Sequence, residues 1–249
     1  MTRLLVIAAI ICGTASCSAG DTPEEPAAKL KADLLAANAG VEANPDDVGA
    51  LAERGDAKFF LGRYDEAIAD YDRMLELRPD LGPKHWQRGL ALYFAGRYDE
   101  SAKQFERYYE GATGDKSDRE NGIWRFYAQV KQDGVENARK QLLEYRLPDR
   151  DPLPIIYRMC AGEISAFDVL KSVEAAQVPD AEKAKRRFYA NLYVGLDAAI
   201  VRRDPKSARE RLQMAIGNPW PRKAGYGGNF MWHVARLSLA DVSNDAKSE

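Results

Sequence analysis

The chain has 249 residues, 45% of them hydrophobic, and a formal net charge of −2, so it can bury a sizeable core. That charge balance offers no basic field of the kind a nucleic-acid binder uses. With two histidines and three scattered cysteines, the composition also gives no Cys/His cluster for a metal and no cofactor motif.

The N-terminus reads as an export signal. Met1-Thr2-Arg3 supplies a positive start, residues 4–11 are an unbroken apolar run, and Gly13-Thr14-Ala15-Ser16-Cys17 follows. The run is too short to span a bilayer, which makes 1–17 a signal peptide. Its small-residue end resembles the lipobox of bacterial lipoproteins, although Thr14 stands where Leu is usual. The resemblance implies that Cys17 becomes the lipidated first residue, and Ser18, in place of Asp, leans toward the outer membrane. The alternative is ordinary cleavage after Ala19, giving a soluble secreted or periplasmic protein. With Cys17 blocked and Cys12 removed, only Cys160 remains, so no intramolecular disulfide forms and helical packing holds the fold.

Residues 18–26 are small, polar and acidic, a flexible tether. Residues 27–43 are rich in Ala, Leu and Lys and predict a helix, the remnant of a leading repeat that caps the N-terminal end. Next comes the feature that organises the chain. Gly62-Arg63-Tyr64-Asp65-Glu66 recurs letter for letter, 34 residues on, as Gly96-Arg97-Tyr98-Asp99-Glu100. Gly55 with Gly89, Tyr71 with Phe105, Arg73 with Arg107 and Pro45 with Pro79 keep the same offset. This period and its landmarks identify tetratricopeptide repeats (TPRs), helix–turn–helix units, at 48–81 and 82–115. In the first unit the helices are predicted at 48–61 and 64–77. Gly55 permits close packing, Gly62 ends the first helix, and Pro79 stops the second.

A loop with a short insertion is expected over 111–118, then a capping box, Ser117-x-x-Glu120. A divergent helix pair follows at 119–132 and 135–146. Prolines 148, 152 and 154 make 147–154 a rigid connector. Beyond it, in 148–242, the repeat becomes irregular: helices at 155–161, 165–173, 181–202 and 206–216, a loop at 218–228, and a capping helix at 229–242. Residues 243–249 read as a disordered tail. The expected fold class is an all-α, TPR-like α-solenoid of antiparallel helix pairs.

The order of parts is similar to bacterial outer-membrane TPR lipoproteins of the new lipoprotein I type. It runs from the lipobox-like start through two good repeats and a divergent pair from Ile123-Trp124. Pro154-Ile155-Ile156-Tyr157, Gly162-Glu163-Ile164-Ser165 and a final helix around 230–239 follow. That resemblance implies a periplasmic adaptor bringing proteases and peptidoglycan hydrolases together. His233 stands near the place of an acidic residue expected in that family's last helix.

Stacked hairpins leave a concave face lined by their first helices. Here it would present Asp56, Phe59 and Phe60 from one repeat, with Trp86, Leu90, Tyr93 and Phe94 from the next. An aromatic concavity suits an extended peptide or a helix. The competing reading is that rings such as Phe59 and Tyr93 pack between adjacent helices. Ala52, Asp56 and Gln87 occupy the places of the Lys/Asn clamp that chaperone-tail binders use, so that clamp is absent. His85 and His233 have no ligand-spaced partner, Cys160 reads as a small buried residue, and 183–187 as a solvated basic face. Tyr226-Gly227-Gly228 lacks the context of a phosphate loop. Nothing has the form of an enzyme active site. The expected function is a scaffold for envelope proteins or peptides, held to the membrane by its lipid and possible as a homodimer. The alternative is a structural part of a polysaccharide-export or secretion assembly.

Overall fold

The computed structural model describes residues 27–111 and 117–248, so the leader, Cys17 and the tether lie outside the described residues. Twelve α-helices and two 3-10 helices make up the described chain, without a strand among them. After the leading helix α1 (Ala27–Ala43), the first repeat is α2 (Val48–Phe60) and α3 (Tyr64–Leu77). The second is α4 (Trp86–Phe94) and α5 (Tyr98–Gly111), followed by α6 (Arg119–Asp133) and α7 (Val135–Lys140). From α1 to α7 each helix packs on its neighbour in sequence, giving an all-α, TPR-like solenoid.

The repeated residues act in matched ways. A Cβ on Gly55 would stand 2.4 Å from the Tyr71 ring, and one on Gly89 would stand 2.6 Å from Phe105, so each glycine is the seat of an aromatic ring. Gly62 and Gly96 hold φ of 75° and 76°, the left-handed turn that lets the second helix fold back. Arg63 clamps Glu66 as Arg97 clamps Glu100, each through two hydrogen bonds. Ser101, where the first repeat has Ala67, donates to the Gly89 carbonyl at 2.8 Å and so satisfies its buried hydroxyl. Because the Phe105 ring has no slack, Gly89→Ala is expected to cost about 2 kcal/mol, as overpacked cores do. Gly82→Ala, with nothing within 4 Å of the new carbon, should barely move the urea midpoint that checks both.

Several boundaries differ from expectation. The second repeat's first helix begins at Trp86, four residues into the unit, because Pro83 lies in a 3-10 turn (Pro79–Lys84) and His85 supplies the N-cap. Asp118, rather than Ser117, caps α6 by accepting from the Glu120 amide at 3.2 Å. Helix α7 stops at Lys140, six residues short of prediction. Its missing turns are replaced by side chains that take the backbone acceptors beyond it. Arg125 donates to the Gln141 carbonyl, Tyr157 to Leu143, Tyr109 to Glu144, and Arg119 to Leu147. Those carbonyls need no helix once they are satisfied elsewhere.

The second half contains α8 (Leu153–Ala161), α9 (Ala166–Ala175), α10 (Asp180–Ile200), α11 (Pro205–Ile216) and α12 (Tyr226–Ser248). Ser165 and Asp168 form a reciprocal capping box, and Asp204 caps α11 ahead of Pro205. The last helix corrects the expected ends twice. It starts inside the glycine-rich loop at Tyr226, and it continues to Ser248 where a disordered tail was expected. Helix α10 packs on α8, α9 and α11, whereas α12 runs back to touch α2. One hydrophobic core therefore extends from Phe59 in the first repeat to Val242 near the end.

Candidate functional site: the concave face and its resident helix

Of the seven residues expected to line the groove, Asp56, Phe59, Phe60 and Trp86 meet residues of α12. Phe59 and Leu90 are at most 1% exposed, and Tyr93 is buried. What covers Phe59 is α12. Phe230 stacks on Phe59 at 5.0 Å and meets Phe60 and Trp86 edge-on at 5.0 and 4.8 Å. His233 stacks on Phe60 at 3.9 Å, and the Arg236 guanidinium donates to the Phe60 carbonyl. The Tyr226 hydroxyl donates to Asp56 at 2.6 Å, while Gln87 donates to Tyr226 at 2.9 Å. Tyr93 and Phe94 turn instead toward Trp124 on α6, with ring centroids 5.3 and 6.4 Å away.

The expected groove is thus largely occupied by α12, with Phe59, Leu90 and Tyr93 buried and Asp56, Phe60, Trp86 and Phe94 half-buried. Residues 230–235 are buried all round because α12 is clasped from its other side by α11, where Trp232 donates to the Ile216 carbonyl at 3.0 Å. A helix apolar on every side has to be an inside helix. The missed signal was the spacing of Tyr226, Phe230 and His233, which is the i, i+4, i+7 pattern of a helix laid in a groove.

Closing the face over polar groups shifts their titration. Burial pushes Asp56 up to about 6, against the Tyr226 and Tyr71 hydroxyls that donate to it. Burial pushes His233 down to about 3, and Arg236, Lys29 and Arg222 add to that. His85 falls to about 4, again chiefly through burial, with its Nδ1 accepting from the Arg88 amide. Both histidines are therefore neutral, separately buried residues. Among the described residues no group of His, Cys, Asp or Glu is placed to hold a metal ion. Cys160 is buried and free, and burial raises its thiol, the reverse of an activated nucleophile. The 183–187 cluster is largely spent internally. Lys183 donates to the Val173, Glu174 and Ala176 carbonyls, Arg187 pairs with Glu174, and Arg186 with Glu182 and Asp151.

Two recesses remain beside α12. One, about 250 Å³, lies between Trp86, Phe105, Trp124, Tyr189 and Met231, with Glu120 and Arg150 in its wall. Glu120 is held there by Arg150 and by the Tyr193 hydroxyl, and burial raises its pKa. The other is an open cleft of about 710 Å³, which begins at Tyr93, Phe94 and Tyr98 and ends against the last turns of α12. Of the seven expected groove residues, Trp86 borders the first recess, and Tyr93 and Phe94 border the second.

No curated protein matched the chain in a sequence comparison. Residues 48–81, the α2–α3 hairpin whose glycine seats the Tyr71 ring, match the family model of the tetratricopeptide repeat, and it is to that family that this stretch is similar.

Proposed function

We propose that this protein is a non-enzymatic scaffold of the bacterial cell envelope, exported and anchored by lipid on Cys17. Tetratricopeptide repeats generally mediate protein–protein interaction, and residues 48–81 of this chain match one such repeat. The observation that carries the reading is the pair of matched hairpins built into a single rigid solenoid, alongside buried titratable groups that serve packing. The leader supports export and anchoring: an apolar run over 4–11, then Ala15-Ser16-Cys17. Among the described residues no helix is long and apolar enough to cross a membrane. A tethered scaffold works by raising the local concentration of the proteins it holds, without chemistry of its own.

The filled concave face favours a second reading, a structural part of an export or secretion assembly whose repeats carry no peptide. Affinity purification from detergent-solubilised envelopes separates the two. The scaffold reading expects several envelope proteins to bind purified protein directly and separably, at micromolar affinity or better. Recovery only as one fixed, stoichiometric assembly supports the structural reading. For the anchor, radioactive palmitate is expected to label the wild type and not Cys17→Ala, which should leave the membrane fraction. Label-free wild type with an N-terminus at Gly20 would instead mean cleavage after Ala19.

A further inference from the structure

The larger recess has the make-up of a recognition site. Its floor is apolar, with Phe94, Val130, Leu196 and Val242 drawn from four different helices. Its volume of about 710 Å³ lies within the range of ligand-binding clefts. Ser238 in its lining is 6% exposed, and its hydroxyl has no hydrogen-bond partner. A buried hydroxyl left unpaired at the wall of an open cleft is a group waiting for a ligand atom.

The rim supplies charge. Lys131 and Arg203 both border the cleft and both are exposed, and neither forms an ion pair with a described residue. Arg203 is held at φ 52°, the one left-handed non-glycine residue described, so its backbone adopts a costly conformation at this spot. Asp241, also in the lining, lies close to the Tyr64 and Tyr93 hydroxyls. Helices α4, α6 and α10 end beside the cleft and α5, α7 and α11 begin beside it, so their terminal partial charges offset one another and the two rim cations exceed Asp241 by one charge.

We propose that this cleft binds an extended segment of a partner protein in which an Asp or Glu carboxylate sits next to a large apolar side chain. The apolar side chain covers Phe94, Val130 and Leu196, and the carboxylate bridges Lys131 and Arg203. The ligand backbone meets groups of both kinds, since the Ser238 hydroxyl is available and the ends of α6 and α10 present carbonyls that no helical amide uses. A fatty acid has no such donors along its length, which is why a peptide fits this lining better. The proposal rests on the scaffold reading and gives it a site away from the filled concave face.

A phage-displayed library of random 12-residue peptides selected on the full chain tests this. Selected peptides are expected to share an acidic residue beside Leu, Ile, Phe or Trp. They should bind at least tenfold more weakly to Lys131→Glu/Arg203→Glu, whose exposed changes leave the melting temperature in place. Ser238→Leu, which fills the floor and keeps the cations, should weaken them likewise. Peptides without a carboxylate, affinities indifferent to the charge reversal, or myristate binding where no peptide binds would each overturn the proposal. Envelope partners that bind the charge-reversed protein as well as the wild type would overturn the cleft while leaving the scaffold reading intact.

Discussion

Replacing Phe230 with alanine is expected to destabilise the whole fold by about 4 kcal/mol, the usual cost of truncating a fully buried phenylalanine. In a chain of this size that is a fall of about 10 °C in melting temperature. The ring is 0% exposed and touches Phe59, Phe60 and Trp86, so its loss leaves a void between the first repeats and the last helix. The comparison is Phe167→Ala, where a ring 69% exposed should change stability by less than about 0.5 kcal/mol. A thermal scan followed at two wavelengths checks the claim. One cooperative transition, moved down as a unit, is the signature of a core shared by both halves. If the N-terminal repeats melted unchanged while only the C-terminal half loosened, α12 would be a detachable cap and the shared core would be wrong.

Acid should weaken the same contact, and His233 sets the direction. Its pKa is about 3 in the folded protein, below the ordinary value of about 6.5 for an unfolded chain. Between those two values the unfolded state binds the extra proton, so stability falls as pH falls through that window and is full above it. The slope from this one group is about 1.4 kcal/mol per pH unit, and His85, down at about 4, adds to it over the upper part of the range. Asp56 works the other way. Its pKa of about 6 lies above the unfolded value, so the folded state takes up its proton first and gains stability as pH drops from about 6 toward 4. The wild type should therefore lose about 1.4 kcal/mol per pH unit between pH 6 and 4, the slope of one histidine left after Asp56 offsets the other. Asp56→Asn should make the loss steeper, and His233→Phe, which keeps a ring over Phe60, should abolish or reverse it. Urea midpoints at pH 7.5, 6, 5 and 4 for the three proteins decide this. An unchanged slope in His233→Phe would mean that the histidine is not buried against Phe60 as described.

How much of this was legible beforehand depends on the range of the interaction. The hairpins at 48–77 were readable to within a residue or two because every determinant is local. Glycine at a left-handed turn, glycine under a ring and proline after a helix each act within a span of about 16 residues. Where a distant side chain competes for the backbone, local reading failed. The segment 141–147 has good helix composition, yet donors from Arg125, Tyr109, Arg119 and Tyr157 take its carbonyls and hold it open. The glycines at 227 and 228 looked like loop, and the anchoring of Phe230 and Trp232 in the following turns of the same helix overrode that preference.

The candidate site shows the same division. Duplication of a helical hairpin at constant pitch, and the aromatic face that duplication creates, follow from the order of residues, since both are set by periodicity along one chain. Which partner covers that face does not. Phe59 and Phe230 are far apart in sequence, and their stacking depends on how the second half curls back. Only the folded chain decided that the aromatic face is core and that the opening lies beside it, under Lys131 and Arg203. The physical reason is that an exposed apolar concavity is costly in water, and the nearest apolar helix available to cover it belonged to the same molecule.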